Sequence, residues 1–290
     1  MFKVGVLGAY DGYISKPQLF DIRHIQFVPY VDEQEAVKKL QRHQLDLVVQ
    51  LDSETYWVNR SSPNGYIVEQ LLMAKDENFK RTLVDGEQVR YVDWVLPGIL
   101  GMNIMFACLF GIGYNIVRYR KNGVLKRFNA TPLGAIEFLA AQMLSRWIIV
   151  MMICLLIFFG GHWMLDTMML GSYFAFFSVI ALGIFTMVSL GLVIASRSRS
   201  EELTGGLLNF ASWPMMGLSG VWFSMEGAPL WLKQFAQALP LTHIIDATRA
   251  IAIEGETLST QMDHVVILLI MTAILLFVGA ALFSWDADGR

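Results

Sequence analysis

The residues best suited to chemistry form a short polar row near the C-terminal end of the chain. His243, Asp246 and Arg249 follow one another at intervals of three residues, so a helix would carry a base, an acid and a cation on one face. Such rows are commonly surface ion pairs that contribute little to stability. A second pair, His162 and Asp166, has i, i+4 spacing. Because neither set comes with a placed nucleophile, we interpret both as surface groups and predict no catalytic residue.

Cofactor sites are also missing from the sequence. No Gly-Lys dipeptide occurs anywhere, so the chain has no phosphate-binding loop. The zinc-binding spacings HExxH and CxxC are absent as well. We therefore expect no cofactor on this chain and no enzymatic activity of its own, and any hydrolysis of ATP would take place on a partner protein.

Long apolar segments dominate the chain after Tyr91. The sequence is 55% hydrophobic and 16% charged, with a mean hydropathy of +0.48, far more apolar than an average soluble domain. A helix needs about 20 residues to cross a hydrocarbon layer of ~30 Å. Five segments meet this length and predict five membrane spans, at residues 94–117, 147–165, 168–195, 203–223 and 265–285.

The predicted spans lack ionisable residues in their central portions. Transporters driven by protons or ions usually keep one such residue as a relay, because a charge in the membrane is costly and is retained for function. A secondary transporter would also show an inverted repeat, and a membrane hydrolase would show paired catalytic groups at one depth. The sequence therefore favours a membrane protein whose energy comes from elsewhere.

The first 91 residues have a different pattern. Apolar segments at residues 2–7, 25–30 and 45–51 predict strands, an acidic-started amphipathic segment predicts a helix at 32–43, and a longer helix is expected over 66–83 before a last strand near Val89. The predicted fold is an α-helical polytopic membrane protein with five spans over residues 92–290, preceded by a small α/β domain over residues 1–91.

Orientation follows from the basic residues near the predicted spans. Residues 118–146 hold six Lys or Arg against one acid, Glu137, so this segment is expected in the cytoplasm. Five spans then place the C-terminus in the cytoplasm and the α/β domain outside, in the extracytoplasmic space. The net charge of −3 and the lack of a basic stripe argue against a nucleic-acid partner.

The basic cytoplasmic segment has two interpretations. Asn122-Gly123 predicts a turn, a short helix follows, and Thr131-Pro132 breaks it before the next helix. The segment is either an interfacial helix held against anionic membrane lipid by its Lys and Arg residues, or a docking element for a cytoplasmic partner.

A family resemblance bears on this choice. Residues 123–142, GVLKRFNATPLGAIEFLAAQ, resemble the coupling segment of type-2 ATP-binding-cassette (ABC) exporter permeases. Residues 210–255 are similar to the same family through the Pro214 kink, the step Leu218-Ser219-Gly220-Val221, the interfacial helix at Trp231, the step Leu239-Pro240-Leu241-Thr242, and Gly255. Residues 35–58 are similar to the extracytoplasmic domain that many members insert between their first and second spans. Those members have a span before that domain, and we expect either that such a span is missing from this chain or that the domain is cytoplasmic.

The resemblance implies an inner-membrane exporter, active in drug, lipid or polysaccharide export. It implies a pair of permeases, identical or related, bound on the cytoplasmic side to ABC ATPase subunits that hold ATP and Mg. The residues that would contact the ATPase are Arg120, Lys121, Gly123, Arg127, Thr131 and Pro132. The residues that would line the pathway are Asn103, Phe106, Asn209, Trp213 and Met216. The alternative is a non-transporting assembly or sensor subunit that binds a ligand through the α/β domain.

Overall fold

The computed structural model describes residues 2–8, 24–74, 79–86, 89–196, 198, 200–223, 225, 228–283 and 285. The chain divides into two units, Met1–Arg90 and Tyr91–Arg290, each with its own packing.

The first unit is built on a mixed sheet of five strands. Their order across the sheet is β2-β1-β3-β4-β5, and every neighbouring pair is parallel except β3 with β4, which are antiparallel. The strands are β1 Phe2–Leu7, β2 Ile25–Tyr30, β3 Leu47–Gln50, β4 Thr55–Asn59 and β5 Lys80–Val84.

Two helices cover opposite faces of this sheet, namely α1 Glu33–Gln41 and α2 Pro63–Met73. Leu40 of α1 packs with Val48, whereas Val68 of α2 packs with the neighbouring strand residues Leu47 and Val49, which point to the other face. The sequence-based prediction of one helix over 66–83 is wrong, because the chain leaves the helix after Met73 and residues 80–84 pair with β4 instead.

A buried carboxylate ties this unit together. Glu69 is 4% exposed, and its Oε1 accepts a hydrogen bond of 2.7 Å from the Tyr56 hydroxyl and pairs with Arg81 Nε at 2.8 Å. Arg81 Nη2 also donates to Glu69 Oε2 at 3.1 Å. Burial, and secondarily the hydrogen bond to Glu69, raise the pKa of Tyr56, so the phenol remains a donor at physiological pH. The triad joins β4, α2 and β5.

The second unit is helical throughout its described part. The helices are α3 Tyr91–Lys121, α4 Val124–Asn129, α5 Ala135–Leu165, α6 Tyr173–Ala195, α7 Glu201–Leu218, α8 Leu230–Gln237, α9 Pro240–Glu254 and α10 Met262–Leu282. Four of them, α3, α5, α6 and α10, are long and apolar enough to cross a membrane.

The segment predicted as a span at residues 203–223 corresponds to α7, which is not among those four helices. It has 18 residues, and at 1.5 Å per residue these extend about 27 Å. The helix ends at Leu218, and the next turn places Gly220 in the left-handed region at φ 69°. That turn shortens the apolar segment that the sequence predicted.

Helix α7 runs antiparallel along α3 over most of its length. At one end, Glu201 pairs with Lys121 at 3.5 Å. At the other end, the backbone of Val221 lies so close to Gly98 that a methyl group there would be 2.6 Å from the Val221 oxygen. We call these the Lys121 end and the Gly98 end of the helical unit.

Helix α9 packs between α3 and α6 at the Gly98 end. The Ile245 side chain lies where Gly101 leaves space on α3, and Ile244 lies against Gly183 of α6, so small residues permit close helix contact. His243 is 3% exposed, and its Nε2 is 2.8 Å from the Gln237 oxygen. The interpretation of His243, Asp246 and Arg249 as a surface row is therefore wrong for His243, because the apolar residues of α9 draw this helix into the bundle.

Polar contacts join the remaining connections at the Gly98 end. Asp93 Oδ1 accepts a hydrogen bond of 2.8 Å from the Met168 backbone, and Leu170 donates one of 2.9 Å to the Ala252 oxygen. The start of α3, the α5–α6 connection and the end of α9 therefore meet at this end.

Candidate functional site

The segment between α3 and α5 forms a compact helical hairpin at the Lys121 end. We refer to residues 118–134 as the coupling segment. Gly123 adopts φ 69°, a left-handed conformation that favours glycine, and it reverses the chain into α4. Leu125 of α4 is fully buried, and the Gly134 backbone donates to Glu137 Oε2 at 3.0 Å where α5 begins. The hairpin is thus anchored on its inner side and exposed on its outer side.

Most of the residues predicted to contact an ATPase lie on that outer side. Lys121, Arg127, Thr131 and Pro132 are exposed, and Gly123 is partly exposed. They occupy one short stretch of surface around α4. Their contact with a partner stays a prediction, and the structure shows that these side chains are available for it.

Arg120 has a different environment from the other predicted residues. It is 9% exposed, and its guanidinium donates hydrogen bonds to the backbone oxygens of Ala195 at 3.2 Å, Ser196 at 2.7 Å and Ser198. The last carbonyls of a helix lack partners within it, and a cation there also interacts favourably with the helix dipole. Arg120 therefore fastens α3 to the C-terminal end of α6 beneath the exposed surface.

Other contacts at this end were missed by sequence reasoning. The rings of Phe128, Phe283 and Trp285 all lie within 6.0 Å, centroid to centroid, of the Phe138 ring. This aromatic cluster joins the coupling segment to α5 and to the residues that follow α10. Nothing in the local sequence pattern pairs residues that are so distant along the chain.

A second candidate site is a row of aromatic residues along α3. The Phe106 and Phe110 rings are 5.7 Å apart and the Phe110 and Tyr114 rings 5.8 Å apart, and Asn103 shares this face by helical spacing. All four side chains are partly exposed. The Asn103 Oδ1 atom is buried and accepts no hydrogen bond from a described residue.

The predicted lining residues of α7 adjoin this row. Tyr114 places its hydroxyl against Gly205, and Asn209, Trp213 and Met216 follow Gly205 on the same side of α7. Trp213 is 62% exposed, Met216 is half-buried, and Asn209 Nδ2 donates to the Gly205 oxygen at 2.8 Å. Helical spacing thus places the predicted lining residues on two adjoining helix faces, Asn103 and Phe106 on α3 and Asn209, Trp213 and Met216 on α7. Their role in lining a pathway stays a prediction.

The four long apolar helices are those of an integral membrane protein. The family model described as ABC-2 type transporter matches residues 56–253, which is more than half of the chain. This protein therefore belongs to the ABC-2 type transporter family. The permeases of this family are transporter subunits and are not themselves catalysts.

Named relatives agree with this assignment. The chain is 24% identical over 156 residues to the inner membrane transport permease YhhJ of Escherichia coli, covering 53% of this chain and 41% of YhhJ. It is 24% identical over 197 residues to the linearmycin resistance permease protein LnrN of Bacillus subtilis, covering 67% of this chain and 51% of LnrN. It is 22% identical over 210 residues to ABC transporter G family member 20 of Dictyostelium discoideum, covering 72% of this chain and 29% of that protein. The chain thus spans about half or less of the length of these relatives.

Proposed function

We propose that this chain is the permease subunit of an ATP-driven exporter, moving a hydrophobic or amphipathic substrate out of the cytoplasm with energy from a separate ABC ATPase. The observation that carries the proposal is the exposed coupling segment, which is joined directly to α3 and α7, the two helices with the predicted lining residues. Family membership and the similarity to a resistance permease support it.

In this proposal α7 crosses the membrane as a fifth span. Its start lies at the Lys121 end and its last turn lies at the Gly98 end, and both are joined to the two ends of α3, a candidate span. A chain that enters at one end and leaves at the other has crossed the bundle. The Lys121 end is then cytoplasmic, together with Trp285 after α10, and the α/β unit is extracytoplasmic.

Coupling would pass through rigid contacts from the ATPase to the transport surface. A displacement of α4 would be transmitted to α3 through the short turn at Gly123. It would be transmitted to α6 through the Arg120 hydrogen bonds to Ala195 and Ser196. Because α3 carries the Phe106 and Phe110 rings, its displacement would change the shape of the surface that these rings form. ATP and Mg would be bound by the ATPase alone.

A second permease would complete the pathway. Helix α7 exposes Leu207, Phe210 and Trp213, with exposed fractions of 42%, 80% and 62%. In a homodimer or heterodimer this surface would face the partner permease, and the substrate would pass between apolar and aromatic walls. Such walls suit hydrophobic or amphipathic molecules, which include many drugs, so we also propose multidrug efflux as the biological role.

The test is co-purification of the tagged chain from its native membrane, with the bound proteins identified by mass spectrometry. We expect an ABC ATPase with the native chain and its loss after Arg127→Glu. The matched control is Lys80→Glu, which reverses an exposed charge on β5 of the other unit and should retain the ATPase. Absence of any ATPase in several mild detergents would overturn the exporter proposal and favour a sensor or assembly subunit that binds ligand through the α/β unit.

A further inference from the structure

Arg146 lies in α5 and reaches across to α3. A methyl group added to Gly111 would overlap the guanidinium of Arg146, at 2.5 Å from Nη1 and 2.7 Å from Nη2. Because Gly111 has no side chain, the guanidinium of Arg146 can pack directly against the backbone of α3.

Arg146 is half-buried, and its guanidinium lies beside Gly111, away from the exposed cations at the Lys121 end. Gly111 precedes Arg118 by seven residues, which places it about 10 Å along α3 from that exposed cation. Both α3 and α5 are candidate membrane spans. Cations within spans are retained where they meet a polar partner or a functional ligand.

Within the described part of the chain, Arg146 donates no hydrogen bond and forms no ion pair. Its neighbours on α3 are weak partners for a cation: Ala107 and Tyr114 flank Gly111 on the same helix face, both partly exposed. An arginine carries five N–H donors in a planar fork that fits the paired oxygens of carboxylate and phosphate groups.

Trp147, the residue after Arg146, fixes the orientation of α5 about its own axis. Trp147 Nε1 donates a hydrogen bond of 3.1 Å to the Ala181 oxygen of α6, and its ring stacks on Phe185 at 5.7 Å. With Trp147 held on the α6 side, Arg146 is directed to the α3 side. The position of the guanidinium is therefore set by packing and not by a protein acceptor.

We propose that the Arg146 guanidinium, held against Gly111, binds the anionic head group of an amphipathic molecule, recognised through a phosphate or carboxylate. The site requires the proposed membrane placement of α3 and α5, and it requires neither transport nor an ATPase. It is distinct from the predicted coupling and lining residues.

The test is native mass spectrometry of the full chain in detergent with added phosphatidylglycerol, compared with zwitterionic phosphatidylcholine. We expect preferential retention of phosphatidylglycerol and a loss of about tenfold in its affinity after Arg146→Gln, the size of one charge-assisted contact. Lys80→Gln is the matched control, because it removes an exposed cation of β5 in the other unit and should leave retention unchanged. Gly111→Ala keeps every charge but displaces the guanidinium, and it should weaken retention as well.

Equal retention by the native chain and folded Arg146→Gln would overturn the proposal, as would an equal loss after Lys80→Gln. If Arg146→Gln does not fold, Gly111→Ala decides, with Gly160→Ala as control because a methyl group there meets no atom within 4 Å. Millimolar inorganic phosphate separates the two sources of the anion. Displacement of the lipid assigns the site to free anions as well, and persistence assigns it to lipid head groups. Since no ATPase is present, the result is independent of whether the chain is an exporter.

Discussion

The Arg120 guanidinium donates a hydrogen bond of 2.7 Å to the backbone oxygen of Ser196, a residue 76 positions further along the chain. The contact closes the C-terminal end of α6 with a side chain of α3. It makes Arg120 a buried positioning residue within the coupling segment, whereas Lys121 and Arg127 of the same segment are exposed.

Replacing Arg120 by glutamine should destabilise the purified protein by about 2 kcal/mol or more, because buried carbonyl oxygens lose a charged donor. Lys121→Gln is the control, since its ion pair with Glu201 is exposed and worth less than ~1 kcal/mol. The measurement is the melting temperature of both variants in the same detergent. Equal shifts for the two variants would contradict the structural role of Arg120.

The contact between α3 and the turn after α7 should not tolerate a side chain. Gly98→Ala would place a methyl group 2.6 Å from the Val221 backbone oxygen and 3.2 Å from its Cα, and backbone atoms cannot rotate away. We expect a loss of about 1–3 kcal/mol, typical of overpacking. Gly206→Ala on α7 meets no atom within 4 Å and should be neutral, so a comparable melting temperature for the two variants would refute the close contact.

Arg249 and Trp94 should behave as an energetically coupled pair. The guanidinium lies 3.9 Å from the centre of the Trp94 ring, and its Nη2 donates to the Gly220 oxygen at 3.0 Å. A double-mutant cycle with Arg249→Gln and Trp94→Leu should give a coupling energy of about 1–2 kcal/mol. Additive effects on unfolding would show that the cation–π contact contributes nothing.

In the α/β unit, Tyr56→Phe should cost about 1–2 kcal/mol because the buried Glu69 carboxylate loses a hydrogen-bond donor. Tyr66→Phe removes a hydroxyl from a residue that is 61% exposed and should have no measurable effect. Chemical denaturation followed by circular dichroism compares the two. A null effect of Tyr56→Phe would mean that Arg81 alone satisfies the carboxylate.

Length and apolarity were sufficient to predict the helices that match α3, α5, α6 and α10, because a span has a hydropathy pattern that needs no tertiary partner. The same reasoning overestimated the helix at 66–83, because the chain there turns into a strand whose pairing partner, β4, is fixed by the sheet. It also assigned His243 to a surface, since helical spacing shows which residues share a face and not which face is covered.

The sequence by itself determined the class of protein, the positions of most helices and the exposed residues of the coupling segment, since each depends on composition or on neighbours within a few residues. Only the tertiary structure decided that Arg120 is buried against α6, that Tyr114 of α3 lies against Gly205 of α7, and that the Arg146 guanidinium lies against Gly111. These relationships join residues on different helices. Their geometry is set by how closely helices approach at glycines, which no local pattern specifies.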